Sequence, residues 1–535
     1  MGRPKLLITA SLLLAACAGG DAPAGSAAGA RTGGTVVIAA AEDLDAANSL
    51  VTQNRYTQEL LRDALFLPLI RYGPRLELEP GLARSWQLTG DTGAVFTLRD
   101  DVLWHDSVRT TAFDVAFTFE RARDPATRFP GVADFARWMG AEVLDSFRVR
   151  FRWDPHADAL AGLPFLPIMP RHLLDTIPAA GLARASFNRN PVGNGPFRFV
   201  EYIANDRWVF AANPDFPQEL GGRPYIDRLV WRIIPDNTAQ VTELQTGNAD
   251  LILNPRAEVW HELAADRRVQ RIERPSRNYA FIGWNGRRPP LDDARVRRAL
   301  ALAIDRQQII DLLRGGSGTV AAGPIGPYHW GFADSVAPLP FDTAAARELL
   351  AGAGITDADD NGVLELADGR SFGFELKYPS ESALNRDMAE LIRTQLAAFG
   401  VQVRLTPLEQ NTLIGQMTSA ARDFDAVLMG WASQFRLDLR GLFHSASLSG
   451  PFQIAGYANP EVDSLINAAD QALDRDHARP LIARLQTILR DEQPWTQLYF
   501  YADLYLASRR LQGVEMDIRS AFVNLPRWWV DRSVQ

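Results

Sequence analysis

The sequence predicts a mixed α/β fold, and three observations carry that reading. Strict two-residue alternation marks strands. In residues 147–153 (FRVRFRW) every second side chain is large and apolar and each one between is arginine, as on a half-buried strand with a basic solvent face. Helical spacing marks other stretches. In residues 294–314, Val296, Leu300, Ala303, Ile304, Ile310 and Leu313 fall on one stripe. Strands and helices alternate along the whole chain, and no period of roughly 20–50 residues repeats, which excludes a solenoid.

Taken in order, residues 35–39 (TVVIA) open the folded body. Thr111 and Asp114 form a capping-box pattern that starts a helix over 112–123. The strand at 147–153 follows, and residues 229–234 (LVWRII) read as another. The 294–314 helix is preceded by Asp292 and Asp293 and closed by Gly315 and Gly316, in keeping with the helix dipole and a glycine cap. A helix over 388–399 ends at Gly400, from which a strand over 401–405 (VQVRL) departs. Helices over 460–473 and 480–489 complete the set.

With 535 residues, 47% of them apolar, the chain is long enough for two to four lobes held by ordinary cores. The formal charge is -8, and removal of Arg3 and Lys5 with a leader would take it to -10. That excludes the basic stripe of a nucleic-acid binder. The one cysteine, Cys17, closes the sequence Leu14-Ala15-Ala16-Cys17 after an apolar run over 6–14 and the basic residues Arg3 and Lys5. This is the anatomy of an export signal, about half the ~20 residues a bilayer crossing needs. Leu-Ala-Ala-Cys also resembles the lipobox of bacterial lipoproteins. That resemblance implies that residues 1–17 are a lipoprotein signal with its lipobox cysteine, cut just before Cys17, with acylation of the Cys17 sulfur and a protein anchored to a bacterial membrane, facing the periplasm or cell exterior. An unlipidated exported protein with a free thiol is the alternative. Residues 18–34 (AGGDAPAGSAAGARTGG) are small and turn-forming, a tether rather than a packed element.

Five ordered segments carry a wider resemblance. Residues 79–123 contain EPGLARSWQLTG and FTLRDDVLWHDSVRTTAFDVAFTFER, with Ser107 where glycine is usual. Residues 191–198 (PVGNGPFR) follow, with Asn194 where threonine is commoner, then matching segments at 212–250, 285–306 and 456–463. Together they resemble the family 5 extracellular solute-binding proteins of ABC importers, from about Gly33 to the C-terminus. The resemblance implies a bilobal periplasmic-binding-protein-like clamp with an additional inserted domain. Its first lobe would collect residues 35–75, 186–275 and 506–535, its insert 76–185, and its second lobe 276–505, with two crossings as a hinge. It implies a monomeric carrier without enzymatic activity or cofactor. That carrier would take a small solute, foremost short peptides, and deliver it to permease subunits. An oligosaccharide or other neutral solute is the alternative ligand. An exported hydrolase lacks a nucleophile–base motif, and a chaperone-like surface protein would show no saturable binding.

In peptide-binding relatives a tryptophan is followed three residues later by an aspartate that pairs with the peptide amine. In residues 430–438 (GWASQFRLD), Trp431 stands at the first position and the neutral Gln434 at the second. Asp438 or Glu42 could supply the missing carboxylate, and Arg436 completes the candidate ligand set. Trp431 suits either ligand stacking or core packing. Asp357, Asp359, Asn361 and Asp368 fit the spacing of a calcium loop, with Glu365 at its ninth position, but lack a final glutamate, so a solvated hairpin turn is the preferred reading. Gly193-Asn194-Gly195 reads as a structural turn rather than a nucleotide loop, and the seven histidines show no metal-binding spacing.

Overall fold

The computed structural model describes residues 32–156, 158–433, 435–472 and 474–533. The leader, Cys17, the tether up to residue 31, and Gln434 lie outside the described residues. Among the described residues no helix is long and apolar enough to cross a membrane.

One eleven-stranded sheet runs through the molecule. Its parallel pairs are Thr35–Ala40 with Arg228–Ile233 and Leu251–Leu253, and Gly373–Pro379 with Gln402–Leu408 and Ala426–Ala432. Between these two α/β halves run the long strands Val269–Trp284 and Trp495–Ser508, paired antiparallel with each other. A separate four-stranded antiparallel sheet is built from Ala83–Leu88, Gly93–Leu98, Arg148–Trp153 and Trp138–Asp145. The alternating segment at 147–153 therefore is a strand. Val149, Phe151 and Trp153 face the core, while Arg148 and Arg150 pair with Asp145 and Glu142 on the other face.

Alternation also explains how the long strands hold two cores at once. Ala280, Ile282 and Trp284 pack into one cluster with Met388, Ile392 and Leu396. Tyr279 and Phe281 turn to the opposite face, against Trp495, Phe443 and Ile454. The beginning of the same strand belongs elsewhere: Val269 packs with Trp260 and Leu506. A further large core gathers residues from 36–253 and 505–530, including Trp104, Trp138, Trp208 and Trp528.

Several helices differ from the sequence pattern. The segment expected as one helix over 294–314 is two, Ala294–Leu302 and Arg306–Arg314. Asp305 breaks the run: it is extended, and its carboxylate accepts from the Gln308 backbone at 2.9 Å as the cap of the second helix. Gln395 meets the interrupted backbone, accepting from Asp305 N–H at 3.1 Å and donating to its carbonyl at 3.2 Å. The helix expected from 480 begins earlier, as Arg475–Glu492, because Asp474 caps the His477 N–H at 2.9 Å. Pro480 lies inside this helix. The helix expected to end at 399 starts at Ala383, behind the Ser382 cap. The capping box stands as read: Asp114 accepts from Thr111 N–H at 2.8 Å at the start of Ala112–Arg123.

Candidate functional site

Where the two long strands pass from one core to the next, the chain buries charge. Arg274 and Asp503 are opposite each other in register. The short helix Arg55–Leu60 brings up Arg55 and Glu59. Asp503 takes Arg274 at 3.1 Å and also Arg55; Glu59 takes Arg55 at 2.8 Å, Arg274 at 3.5 Å and the Ala521 N–H at 2.8 Å. Burial raises the Glu59 pKa, but Arg55 and Arg274 outweigh it and hold the carboxyl down at about 2. Each charge in this group has a partner, which is the condition for burying it.

Immediately beyond, the pairing of Val269–Trp284 with Trp495–Ser508 slips between Pro275 and Tyr279. Arg277 sits in this irregular stretch. Its guanidinium donates to the Ser433 carbonyl at 3.1 Å and lies 4.7 Å from the Phe435 ring centroid. Removal from water pushes its pKa down to about 10. Phe435 itself is buried in an aromatic cage, stacked on Phe165 at 4.9 Å and tilted against Tyr72 at 5.5 Å. Its carbonyl faces His329 Nε2 at 2.9 Å.

The next residues tie the two halves together. Arg436 pairs with Asp438 at 2.8 Å and reaches Asp134 at 3.6 Å; nearby, Arg475 binds Asp158 at 3.0 Å. Burial raises the Asp134 pKa, opposed by Arg436. Beside this contact is a cavity of about 230 Å³. One wall is Pro130, Gly131, Ala133 and Asp134; the other includes Tyr279, Trp431, Ser433, Arg436, Asp438 and Phe452. Trp431 is half-buried, edge-on to Phe452 at 5.6 Å and to Trp495 at 5.5 Å, so packing holds one side while the other lines the cavity. The Tyr279 hydroxyl is buried without a hydrogen-bond partner among the described residues.

The structure therefore brings Trp431, Arg436 and Asp438 around one cavity. Glu42 stands apart. It is exposed, its carboxylate accepts from Asn54 at 3.2 Å, and its backbone carbonyl accepts from Trp231 Nε1 at 3.0 Å. Asp134, Arg277 and Tyr279 escaped the sequence reading. Arg277 left one signal: a cation directly ahead of the apolar run 279–284. A larger cavity, about 330 Å³, opens beside Tyr72 and Phe165 with Arg62, Arg71 and Arg519 in its wall; none of the residues expected to bind ligand lines it.

The calcium pattern needs correction. Ligand oxygens of Asp357, Asp359 and Glu365 lie within 4.8 Å of one another, whereas Asp368 is turned away to Arg370 at 2.7 Å. Asp357 accepts from the Asn361 and Gly362 N–H groups, Glu365 from Ala358 N–H, and Asn361 Oδ1 from Val363 N–H. These oxygens hold the turn through hydrogen bonds to its backbone. Gly193 and Gly195 are structural too: a Cβ on either would meet the Leu65 carbonyl, at 2.0 and 2.9 Å.

The family model of bacterial extracellular solute-binding proteins, family 5 Middle, matches residues 77–451. The oligopeptide-binding protein AppA of Bacillus subtilis is 27% identical over 542 residues, covering 98% of each chain. Heme-binding protein A of Haemophilus influenzae is 29% identical, covering 82% of this chain and 81% of its own. The solved structure of the Bacillus subtilis AppA protein in complex with a nonapeptide superposes with a TM-score of 0.74 at 26% identity. It covers 94% of this chain and 100% of that one.

Proposed function

This chain belongs to the family 5 bacterial extracellular solute-binding proteins, and from that membership we propose that it captures short peptides between its lobes and passes them to an ABC importer's permease. Supporting the reading is the cavity whose walls come from two separate cores, with Asp134 on one side and Trp431, Arg436 and Asp438 on the other. The oligopeptide-binding relative, matched along nearly its whole length, points to the same ligand class. The lobes are taken as residues 35–75, 186–275 and 506–535 against 276–505, with 76–185 inserted in the first. Closure would bury the solute and give the permease a shape to recognise.

A ligand that prefers the closed state must stabilise it. Peptides of two to nine residues should raise the melting temperature and reduce the radius of gyration in small-angle scattering. Oligosaccharides run in parallel test the alternative. If sugars act and peptides do not, the ligand class is wrong while the clamp stands; if neither acts, solute capture of both kinds is wrong.

A further inference from the structure

One small apolar cluster belongs to no single part of the molecule. Two of the large cores lie within residues 279–500, and the largest within 36–253 and 505–530. On the lobe boundaries proposed above, the small one takes Tyr72 from the first lobe, Leu76 and Phe165 from the insert, and Phe435 and Tyr328 from the second lobe. Phe435 is at its centre. The backbone around it is fixed to the second lobe. The Phe435 carbonyl accepts from His329 Nε2 at 2.9 Å, and the Ser433 N–H donates to the Arg277 carbonyl at 3.0 Å. The side chain crosses the seam. Phe435 is only 3% exposed, and its ring is stacked on Phe165 at 4.9 Å with 16° between the planes and tilted against Tyr72 at 5.5 Å. Each ring of the stacked pair has a guanidinium over it, Arg62 at 5.3 Å from Phe165 and Arg277 at 4.7 Å from Phe435. Arg475, also from the second lobe, braces the same socket by donating to the Leu76 carbonyl at 3.3 Å and to Asp158 at 3.0 Å.

Phe435, Tyr72 and Phe165 do not line the 230 Å³ cavity, so this contact is made of the protein's own atoms and needs no solute. Burying a phenyl ring is favourable in itself and aromatic stacking adds to it, whereas partly exposed ion pairs add little. We propose that Phe435 is a built-in latch: its ring enters the socket of Tyr72, Leu76 and Phe165 and holds a share of the molecules closed before any solute arrives. The proposal rests on the clamp reading and adds to it a closing force that no solute supplies. A latched cleft admits solute less often and, once loaded, releases it slowly. Loss of the latch therefore speeds both entry and escape. Loss of a residue that shapes the solute's own site speeds escape alone.

The test starts without solute. In small-angle scattering Phe435→Ala should have a larger radius of gyration than the wild type, with Phe435→Leu between them, because leucine keeps apolar volume and loses the stack. Phe165→Leu strikes the socket from the other side and should match Phe435→Leu. The double leucine variant should expand little further than either alone, since both remove the same contact. For a peptide that binds, stopped-flow mixing should show dissociation from Phe435→Leu about threefold to tenfold faster than from the wild type, with association faster as well. Equal radii for the wild type and Phe435→Ala overturn the latch. Unchanged or slower association in Phe435→Leu also overturns it, because Phe435 then belongs to the solute's site. If Phe435→Ala does not fold, the two single leucine variants are compared with the wild type by the same criterion. If no peptide binds, the capture reading fails by itself, and the latch is still judged on the solute-free radii.

Discussion

His105 and His329 are held in the same way, and the arrangement dictates their charge. Backbone N–H groups of Gly193 and Gly331 donate to their Nδ1 atoms at 3.2 and 3.0 Å, so Nδ1 carries no proton. Nε2 then donates to the carbonyls of Gly195 and Phe435 at 3.1 and 2.9 Å. Protonating either ring would set N–H against N–H. Burial pushes both pKa values down, each to about 4, from an ordinary 6.5. A depressed value means that the unfolded chain takes up protons first as the pH falls. The stabilisation is therefore complete above about pH 6.5 and lost towards pH 4. For His329, which is 5% exposed, the loss is on the order of 3 kcal/mol. Urea midpoints measured from pH 7 to pH 4 should fall steadily in the wild type and fall less in the double variant His105→Gln, His329→Gln. Below about pH 4.5 the loss of the Glu59 carboxylate adds to the decline in both proteins.

At the scale of single elements, local chemistry sets most of the boundaries, and neighbouring backbone sets the rest. The turn at 193–195 illustrates the second case. Asn194 is buried and its side-chain oxygen accepts from Leu67 N–H at 2.8 Å, while both flanking glycines lie against the Leu65 carbonyl. Gly193→Ala should cost about 3 kcal/mol or more, since the obstructing atom is main chain and cannot step aside. Gly415, inside the helix Gln410–Thr418, has open space where a Cβ would go. Gly415→Ala should stabilise by about 0.5–1 kcal/mol through helix propensity. Equilibrium denaturation of the two variants should give opposite signs; equal signs would mean that the turn can shift. Boundary differences have the same local origin. Asp305 ends one helical stripe and caps another, although periodicity alone runs straight through it.

Across the whole molecule, two long strands join the cores, and a short stretch after Trp431 closes one half on the other. Phe435 enters the cage of Tyr72 and Phe165, and Arg436 and Arg475 reach Asp134 and Asp158. These ion pairs are partly exposed and individually weak, which suits a contact that would open to admit a solute under the proposed function. Under the proposed function the carrier would work beside its permease, and the lipobox pattern at Cys17 would supply the tether. Cys17→Ser should move the protein from the membrane fraction to the soluble exported fraction. Retention on membranes through a high-salt wash would show that another part of the chain anchors it.

Much of this was legible in the sequence, because strands and helices bury faces whose periods are written residue by residue. Residues 147–153 and the Thr111–Asp114 cap needed no partner to be recognised. The motif at 430–438 likewise led to Trp431, Arg436 and Asp438, which share one cavity. The opposite wall was not legible. Asp134 lies some three hundred positions earlier, and nothing local distinguishes it from other surface aspartates. Arg277 was invisible for a related reason. Its place beside Ser433 and Phe435 is set by contacts more than 150 positions away, and whether a charge is paired depends on every element packed around it. Glu42 and Asp368 show the converse: each is an acidic residue at a suggestive spacing, and each is claimed by a neighbour, Asn54 and Arg370, that only the folded chain brings into reach. Periodicity, caps and turns are short-range and fix the elements; charge balance is long-range, and only the tertiary structure decided which charges are paired.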